Sequence, residues 1–377
     1  MEINDLLKKA VDAGASDLHI KVGSPPVARI NGILKPIDET RLTREEALRL
    51  ALSVMSPTQK ETYKKELDID FAHSVPGLGR FRCSAFLQRG AVGIVFRVIP
   101  TRIPDFDELN LPDVLRKLAA EERGMVLVTG TTGSGKSTTL AALIDQINAT
   151  KTVNIITIED PVEYLHRDKK SLINQREIGA DARSFAKALR AALRQDPDVI
   201  LVGEMRDFDT IQTALMAAET GHLVLSTLHT LDAPETINRI ISFFPPYYQQ
   251  QVRVQLATVL KGIVSMRLVP KPDGKGRVPA VEVMLATATV KDCIMDPAKT
   301  KFLPDVIAQG NVHYAMQTFD QSLFSLLKQG LVTQDDALRN ASNPDDFMLK
   351  LRGVHNTAET FDQKKGGDDP LVERFAK

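Results

Sequence analysis

The feature that most constrains the fold is a glycine-rich run between an apparent strand and an apparent helix. Residues 130–137 read Gly-Thr-Thr-Gly-Ser-Gly-Lys-Ser and fit the phosphate-loop pattern G-x-x-x-x-G-K-[ST] at every specified position. An apolar run at 125–128 precedes them, and apolar residues at helical spacing follow over 140–147. A glycine-rich surface turn is the alternative, but the strand pattern before the run and the helix pattern after it favour a phosphate loop. The run therefore predicts a strand–loop–helix unit of an α/β domain that binds a nucleotide triphosphate.

The residue types in this loop suit different parts of a triphosphate. Glycines let backbone N–H groups turn towards the phosphates, Lys136 brings positive charge to the β and γ phosphates, and Ser137 offers a hydroxyl to Mg²⁺. The predicted cofactors are therefore ATP and Mg²⁺. The residues predicted to bind the nucleotide are Gly130, Thr131, Thr132, Gly133, Ser134, Gly135, Lys136, Ser137 and Thr138.

Composition favours a two-domain protein and argues against several other classes. The chain has 377 residues, which is too many for one small core. Its 48 Lys and Arg balance its 48 Asp and Glu, so no global charge would attract nucleic acid or an anionic membrane. Cys83 and Cys293 support neither a disulfide framework nor a cysteine zinc site. No apolar stretch approaches the roughly 18 residues of a membrane span, and the start does not read as a signal peptide, so a cytoplasmic location is predicted.

The first hundred residues predict a mixture of helices and strands. Apolar residues recur at helical spacing over 3–11, and the capping-box pair Thr43 and Glu46 precedes a second helix. The dipeptide Asn31-Gly32 has the chemistry of a two-residue hairpin turn. Alternation at 80–88, with a returning segment at 92–99, predicts an antiparallel pair that has one apolar and one arginine-bearing face.

The rest of the chain predicts a second domain of a different kind. Prolines at 100, 104 and 112 favour an extended, stiff connection. From 124 onward apolar runs alternate with helical patterns, which predicts a parallel, doubly wound α/β domain. A long helix is predicted through 252–263, and the following segments to about 353 read as mostly helical. Residues 354–377 are polar and without periodicity, which predicts a flexible tail.

Two carboxylates are candidates for hydrolysis, which needs more than a phosphate loop. Glu163 belongs to an acidic segment that follows an apolar strand, where doubly wound sheets bind ligands, and it is the candidate for positioning the attacking water. Glu204 ends the apolar strand segment at 198–204 and is predicted to support the metal, with Gly203 where many phosphate-loop proteins carry aspartate. A helix cap or a solvent-facing acid is the alternative for the first, and a turn carboxylate for the second.

Two histidines lie around a third short strand. His222 precedes the strand and His229 follows it, and both could sense the γ-phosphate. Histidines that satisfy structural hydrogen bonds are the open alternative. A metal site is not supported, because no further His or Cys cluster completes one.

These motifs, in this order, resemble those of a known superfamily. Residues 130–137, 157–164, 198–207 and 221–230 are similar to the Walker A, Asp box, Walker B and His box of the type II/type IV secretion ATPases. Within that superfamily the chain resembles the type IV pilus retraction ATPases of the PilT/PilU kind, and the segments Ala-Ser-Asp-Leu-His-Ile at 15–20 and Met-Gln-Thr-Phe-Asp-Gln at 316–321 share in the resemblance.

The resemblance implies a domain layout of the α/β class. It consists of a PAS-like α+β N-terminal domain at 1–99, a Pro-containing linker at 100–112, a RecA-like P-loop ATPase domain with a helical C-terminal portion at 113–353, and the flexible tail at 354–377.

The resemblance also implies a ring-shaped homohexamer in which arginines of the N-terminal domain approach the phosphates. Arg82 and Arg97 match those arginines by position, and Arg80 is the alternative. The strand period places Arg82 off the apolar face, in agreement with that role. From the pattern alone, these side chains would be solvated sheet arginines.

The implied function is a hexameric motor that couples ATP hydrolysis to pilus retraction, by pilin disassembly, in twitching motility. The implied partners are an inner-membrane platform protein at the cytoplasmic face of that membrane and, as an open case, a paralogous retraction ATPase. Residues 289–296 lose a basic position of the retraction motif, so primary and accessory motors are not separated. The alternatives are an accessory or assembly-branch pilus or secretion ATPase, a nucleotide-regulated scaffold with little turnover, and a DNA-translocating ring, which the neutral net charge disfavours.

Overall fold

The structure is a computed structural model that describes residues 2–30, 32–100 and 102–352. Asn31 of the predicted hairpin turn and the predicted tail at 354–377 lie outside the described residues. The chain divides into two compact units. The first comprises Met1–Ile103, Asp160–Arg167 and Glu177–Asp181, and the second comprises Pro104–Glu159, Asp168–Arg176 and Ala182–Lys377.

The first unit contains a six-stranded antiparallel sheet in the order β3-β2-β1-β6-β5-β4. Apolar side chains from its helices and strands form one buried core. Its elements are α1 (Ile3–Asp12), β1 (Ala15–Lys21), β2 (Val27–Ile30), β3 (Ile33–Pro36), α2 (Arg44–Ser53), α3 (Pro57–Glu66), β4 (Asp68–Val75), β5 (Gly79–Gln88) and β6 (Ala91–Ile99).

Local sequence accounts for several of these elements. Helix α2 begins at the predicted capping box, where Thr43 and Glu46 each bond the other's backbone N–H. Strands β5 and β6 form the predicted antiparallel pair. Phe81 and Cys83 of β5 are buried in the core, so the period of two places Arg80 and Arg82 together on the other face. This alternation sets the position of the arginine-bearing face.

The second unit contains a seven-stranded sheet in the order β13-β12-β7-β11-β10-β8-β9, with helices connecting its strands. Strands β12, β7, β11, β10 and β8 run parallel, and β13 is antiparallel to β12. The predicted α/β fold class is confirmed. Among the described residues, no helix has both the length and the apolarity needed to cross a bilayer.

The elements of this part of the chain are α4 (Val114–Ala120), β7 (Gly124–Thr129), α5 (Lys136–Thr150), β8 (Asn154–Glu159), β9 (Leu172–Glu177), α6 (Phe185–Ala192), β10 (Val199–Val202), α7 (Phe208–Glu219), β11 (Leu223–Leu228), α8 (Ala233–Ser242), α9 (Gln249–Val259), β12 (Leu260–Pro270), β13 (Arg277–Leu285), α10 (Ala288–Met295), α11 (Leu303–Gln309), α12 (Asn311–Tyr314), α13 (Phe319–Lys328), α14 (Gln334–Asn340) and α15 (Pro344–Leu351).

The predicted long helix through 252–263 is wrong in its second half. Helix α9 ends at Val259, and Leu260 begins β12, which pairs with β7. Strand β13 likewise lies in a segment expected to be helical. Both strands are buried along most of their length, so their continuous apolar runs lack the alternation that reveals a half-exposed strand.

Candidate active site

The phosphate-loop run connects β7 to α5 in a tight curve that glycine alone permits at two positions. Gly130 has a φ of 141°, and a Cβ there would lie 2.5 Å from Ser134 Oγ and 2.6 Å from the carbonyl oxygen of Met266. Gly135 has a φ of 99° and is the N-cap residue of the 15-residue helix α5. A tight glycine loop that leads into a helix N-terminus is the geometry that receives phosphate groups.

The polar side chains of the loop are held inside it. Lys136 is buried, and its Nζ donates to the carbonyl oxygens of Gly130 at 2.8 Å and Thr131 at 2.9 Å. Ser134 is also buried, and its Oγ has no hydrogen-bond partner among the described residues. A buried ammonium and an orphaned hydroxyl in one loop fit a phosphate-bearing ligand, because each group gains a polar partner from it.

Glu204 and His229 come together at the carboxyl edge of the parallel strands. Glu204 Oε2 lies 3.6 Å from His229 Nε2 and 2.7 Å from Arg206 Nε, and the Glu204 side chain is only 15% exposed. The two residues meet because they follow β10 and β11, which are adjacent parallel strands. The loop also follows a strand of this sheet, β7, at its carboxyl end. Ligands of doubly wound sheets bind at this edge.

Gly203 has a structural reason to be glycine. Its N–H donates to the Ile158 carbonyl oxygen at 2.7 Å, and a Cβ would lie 3.1 Å from that oxygen. A side chain at position 203 would therefore make a tight contact with β8, which favours glycine there. Glu204 is the partly buried carboxylate that follows β10.

His222 is predicted to sense the γ-phosphate, and it lies at the edge of the sheet opposite the phosphate loop. It precedes β11, and its carbonyl oxygen accepts from Gly124 N at the start of β7. The six residues of β7 separate that point from the phosphate loop by roughly 20 Å. The Nδ1 atom of His222 instead lies 2.9 Å from the Ala217 carbonyl oxygen, at the end of α7. His222 fits the alternative of a satisfied structural histidine.

The first unit brings three other predicted residues to one pocket. Arg82 and Arg97 are directly opposite each other on β5 and β6. Both line a pocket of about 230 Å³, and Glu163 lines it too, because the segment at 160–167 belongs to this unit. The sequence had suggested that Glu163 stays with the strand that it follows.

Like charges opposite each other on neighbouring strands repel, and carboxylates lie on both sides of this arginine pair. Asp17, opposite Arg97 on β1, accepts from Arg97 Nε at 2.9 Å, and Asp70 lies 3.9 Å from Arg82 Nη2. Burial works against ionisation of Asp17, but the Ser16 hydroxyl and the Arg97 guanidinium hold its pKa below the usual value. The side chains of Arg82 and Arg97 are 44% and 69% exposed, so both guanidinium groups are accessible to an anion.

Arg80 does not line the pocket of Arg82 and Arg97, and it forms an ion pair with a buried carboxylate. Its Nη2 lies 2.8 Å from Glu177 Oε2, and the same oxygen accepts from Val162 N at 3.2 Å. Glu177 is 6% exposed. This buried carboxylate therefore ties β5 to the segment that carries Glu163.

Comparison with known proteins identifies the family. The sequence profile of the family described as "Type II/IV secretion system protein" matches residues 1–319. The chain belongs to this family. It is 43% identical over 383 residues to the type IV pilus ATPase PilU of Pseudomonas aeruginosa, with all of both chains covered. It is also 43% identical over 347 residues to the type IV pilus retraction ATPase PilT of the same organism, which covers 92% of this chain and 100% of PilT.

A solved structure agrees with these relatives. A crystal structure of the pilus retraction motor PilT with bound ADP is 48% identical to this chain, covers 92% of it and 98% of its own chain, and superposes with a TM-score of 0.84. The resemblance predicted from the motifs is confirmed for this member of the type II/IV secretion system family.

Sequence reasoning did not assign a role to two acidic residues of this family member. Glu159 ends β8 at the same sheet edge as Glu204, and its Oε1 accepts from Thr157 Oγ1 at 2.6 Å and from Gln175 Nε2 at 3.1 Å. Its position at the end of a parallel strand was a usable signal. Glu177 had no such signal, because its partners are distant in sequence.

Proposed function

We propose that this chain is an ATPase that works as a ring-shaped homohexamer and couples ATP hydrolysis to type IV pilus retraction. The observation that carries the proposal is the phosphate loop with buried Lys136, in a chain similar over its length to proteins named as pilus ATPases. The structure of PilT with bound ADP supports nucleotide binding by this chain.

The predicted residues other than His222 then divide the steps of hydrolysis among them. Lys136 and the loop backbone bind the phosphates, and Ser137 and Glu204 would hold Mg²⁺, whose oxygen preference they suit. When bound, Mg²⁺ neutralises charge on the β and γ phosphates. Glu163 orients the attacking water from the pocket that it shares with Arg82 and Arg97. His229 responds to the γ-phosphate through its contact with Glu204.

Arg82 and Arg97 would stabilise the negative charge that develops in the transition state. We place them at the phosphate loop of a neighbouring copy in the ring. Two exposed guanidinium groups on directly opposite residues repel each other, and an anion bound between them would offset this repulsion. A phosphate is such an anion. A neighbour's phosphate loop would supply it.

The relatives' names connect them to the type IV pilus. Because the motifs resemble those of pilus retraction ATPases, we propose an inner-membrane platform protein as the partner, met at the cytoplasmic face of that membrane. A paralogous retraction ATPase is a second partner to test, because the chain is equally similar to PilT and PilU.

The variant Glu204→Gln tests this function because it removes the charge that would support Mg²⁺ and retains the side-chain shape. We expect ADP binding to persist, phosphate release to fall by at least about 100-fold, and pilus retraction to stop in cells in which this is the sole change. Phosphate release at the wild-type rate would contradict the assignment. A wild-type protein that binds ADP but releases no phosphate would instead support the nucleotide-regulated scaffold.

A further inference from the structure

A carboxylate in the core of the second unit connects two parts of the candidate active site. Glu282 lies on β13 and is 6% exposed. Its Oε1 accepts from Ala233 N at 2.9 Å and from Ser265 Oγ at 3.3 Å. Ser265 Oγ in turn accepts from Thr129 Oγ1 at 3.1 Å. One buried oxygen thus joins a helix start to a pair of hydroxyl groups.

Both ends of this hydrogen-bonded chain lead to proposed catalytic residues. Thr129 is the last residue of β7 and directly precedes Gly130 of the phosphate loop. Ala233 is the first residue of α8, a few positions after His229. The hydroxyl of Thr230, next to His229, bonds Thr236 of α8 at 2.7 Å, so this segment is attached to the helix.

The charges around Glu282 come from the elements packed against it. Asp232, the N-cap residue of α8, disfavours ionisation of Glu282, and Arg267 of β12 favours it. Arg267 also interacts with Asp320 of α13. Burial is the largest influence and raises the pKa of Glu282 to about 7. Near neutral pH the group therefore exchanges between an ionised and a protonated form.

We propose that Glu282 is a positioning residue for hydrolysis. Its ionised carboxylate fixes the position of the start of α8 relative to Thr129, at the entry to the phosphate loop. An N–H at a helix start and a hydroxyl both bond best to a negative oxygen. Protonation weakens both bonds and loosens the loop relative to the His229–Glu204 pair. This inference rests on the proposed ATPase function.

The variant Glu282→Gln tests the role of the charge, because it keeps the shape and one acceptor oxygen. The matched control is Glu235→Gln, an exposed carboxylate in the first turn of the same helix that accepts from Leu231 N at 2.8 Å. We expect the ratio of wild-type kcat to that of Glu282→Gln to rise up to about tenfold between about pH 6 and about pH 8, following ionisation. The ratio to Glu235→Gln should stay flat. A flat ratio for Glu282→Gln, with both proteins hydrolysing ATP, would overturn the proposal.

Two further measurements separate this inference from the proposed function. The ratio of the ADP dissociation constant of Glu282→Gln to that of wild type should rise over the same pH range, because ionised Glu282 favours binding. This ratio decides the role of Glu282 even if the wild-type protein releases no phosphate. The variant Ser265→Ala keeps the carboxylate and removes its link to Thr129, so its kcat at about pH 8 should fall towards that of Glu282→Gln. Wild-type kcat and pH dependence in Ser265→Ala would overturn the path through Ser265.

Discussion

At the residue scale, Arg82 lies on the exposed face of β5, and Glu204 and His229 follow the adjacent parallel strands β10 and β11. The period of two on β5 places Arg82 off the core, as the structure has it. His222 and His229 are the same residue type at opposite ends of β11. Only His229 follows the strand, so the rule that ligands bind at carboxyl ends could have separated the two. The contact of Asp17 with Arg97 could not be predicted, because it depends on the order of strands in the sheet.

The variant Arg82→Ala tests the proposed arginine role. We expect ADP affinity to stay within a few-fold of wild type and phosphate release to fall by ~10³ or more, because an arginine that stabilises transferred phosphoryl charge contributes that much elsewhere. Arg29→Ala is the control, since Arg29 lies on the same face beside Asp17 but outside the pocket. Equal turnover in Arg82→Ala and Arg29→Ala would remove Arg82 from the catalytic set.

At the element scale, the predicted helices and strands agree best with the structure where local sequence determines the element. Strand β7, the phosphate loop and α5 follow from an apolar run, required glycines and helical spacing. Strand β12 could not be distinguished from a continued helix, because a strand buried on both faces has no alternation. The attachment of the 160–167 segment to the first unit was also beyond prediction, since it depends on Glu177 bonding both Arg80 and Val162 N.

That attachment gives a stability prediction. Arg80→Ala leaves the Glu177 carboxylate buried without its cation, so we expect the free energy of unfolding to fall by about 3 kcal/mol. The double variant Arg80→Ala/Glu177→Gln has no unpaired charge. Its loss of unfolding free energy should therefore be smaller than the sum of the losses in Arg80→Ala and Glu177→Gln. Denaturant unfolding of the four proteins measures the coupling. Additive losses would show that the ion pair does not hold this segment.

At the scale of the whole molecule, the proposed catalytic groups are divided between the two units. The phosphate loop, Glu204 and His229 belong to the second unit, whereas Arg82, Arg97 and Glu163 belong to the first. The motifs predict the overall family and the α/β fold along most of the chain. The membership of Glu163 in the first unit was not predicted, because sequence order alone assigns it to the sheet whose strand it follows.

Mixing two inactive variants tests most directly whether arginines of one copy complete the phosphate loop of the next. Lys136→Ala removes the ammonium of the loop and keeps the arginines, whereas Arg82→Ala does the opposite. We predict that co-assembled hexamers of the two variants recover phosphate release well above either variant alone, because a Lys136→Ala subunit supplies Arg82 to an intact neighbouring loop. Mixed hexamers no more active than the two separate variants would contradict the account.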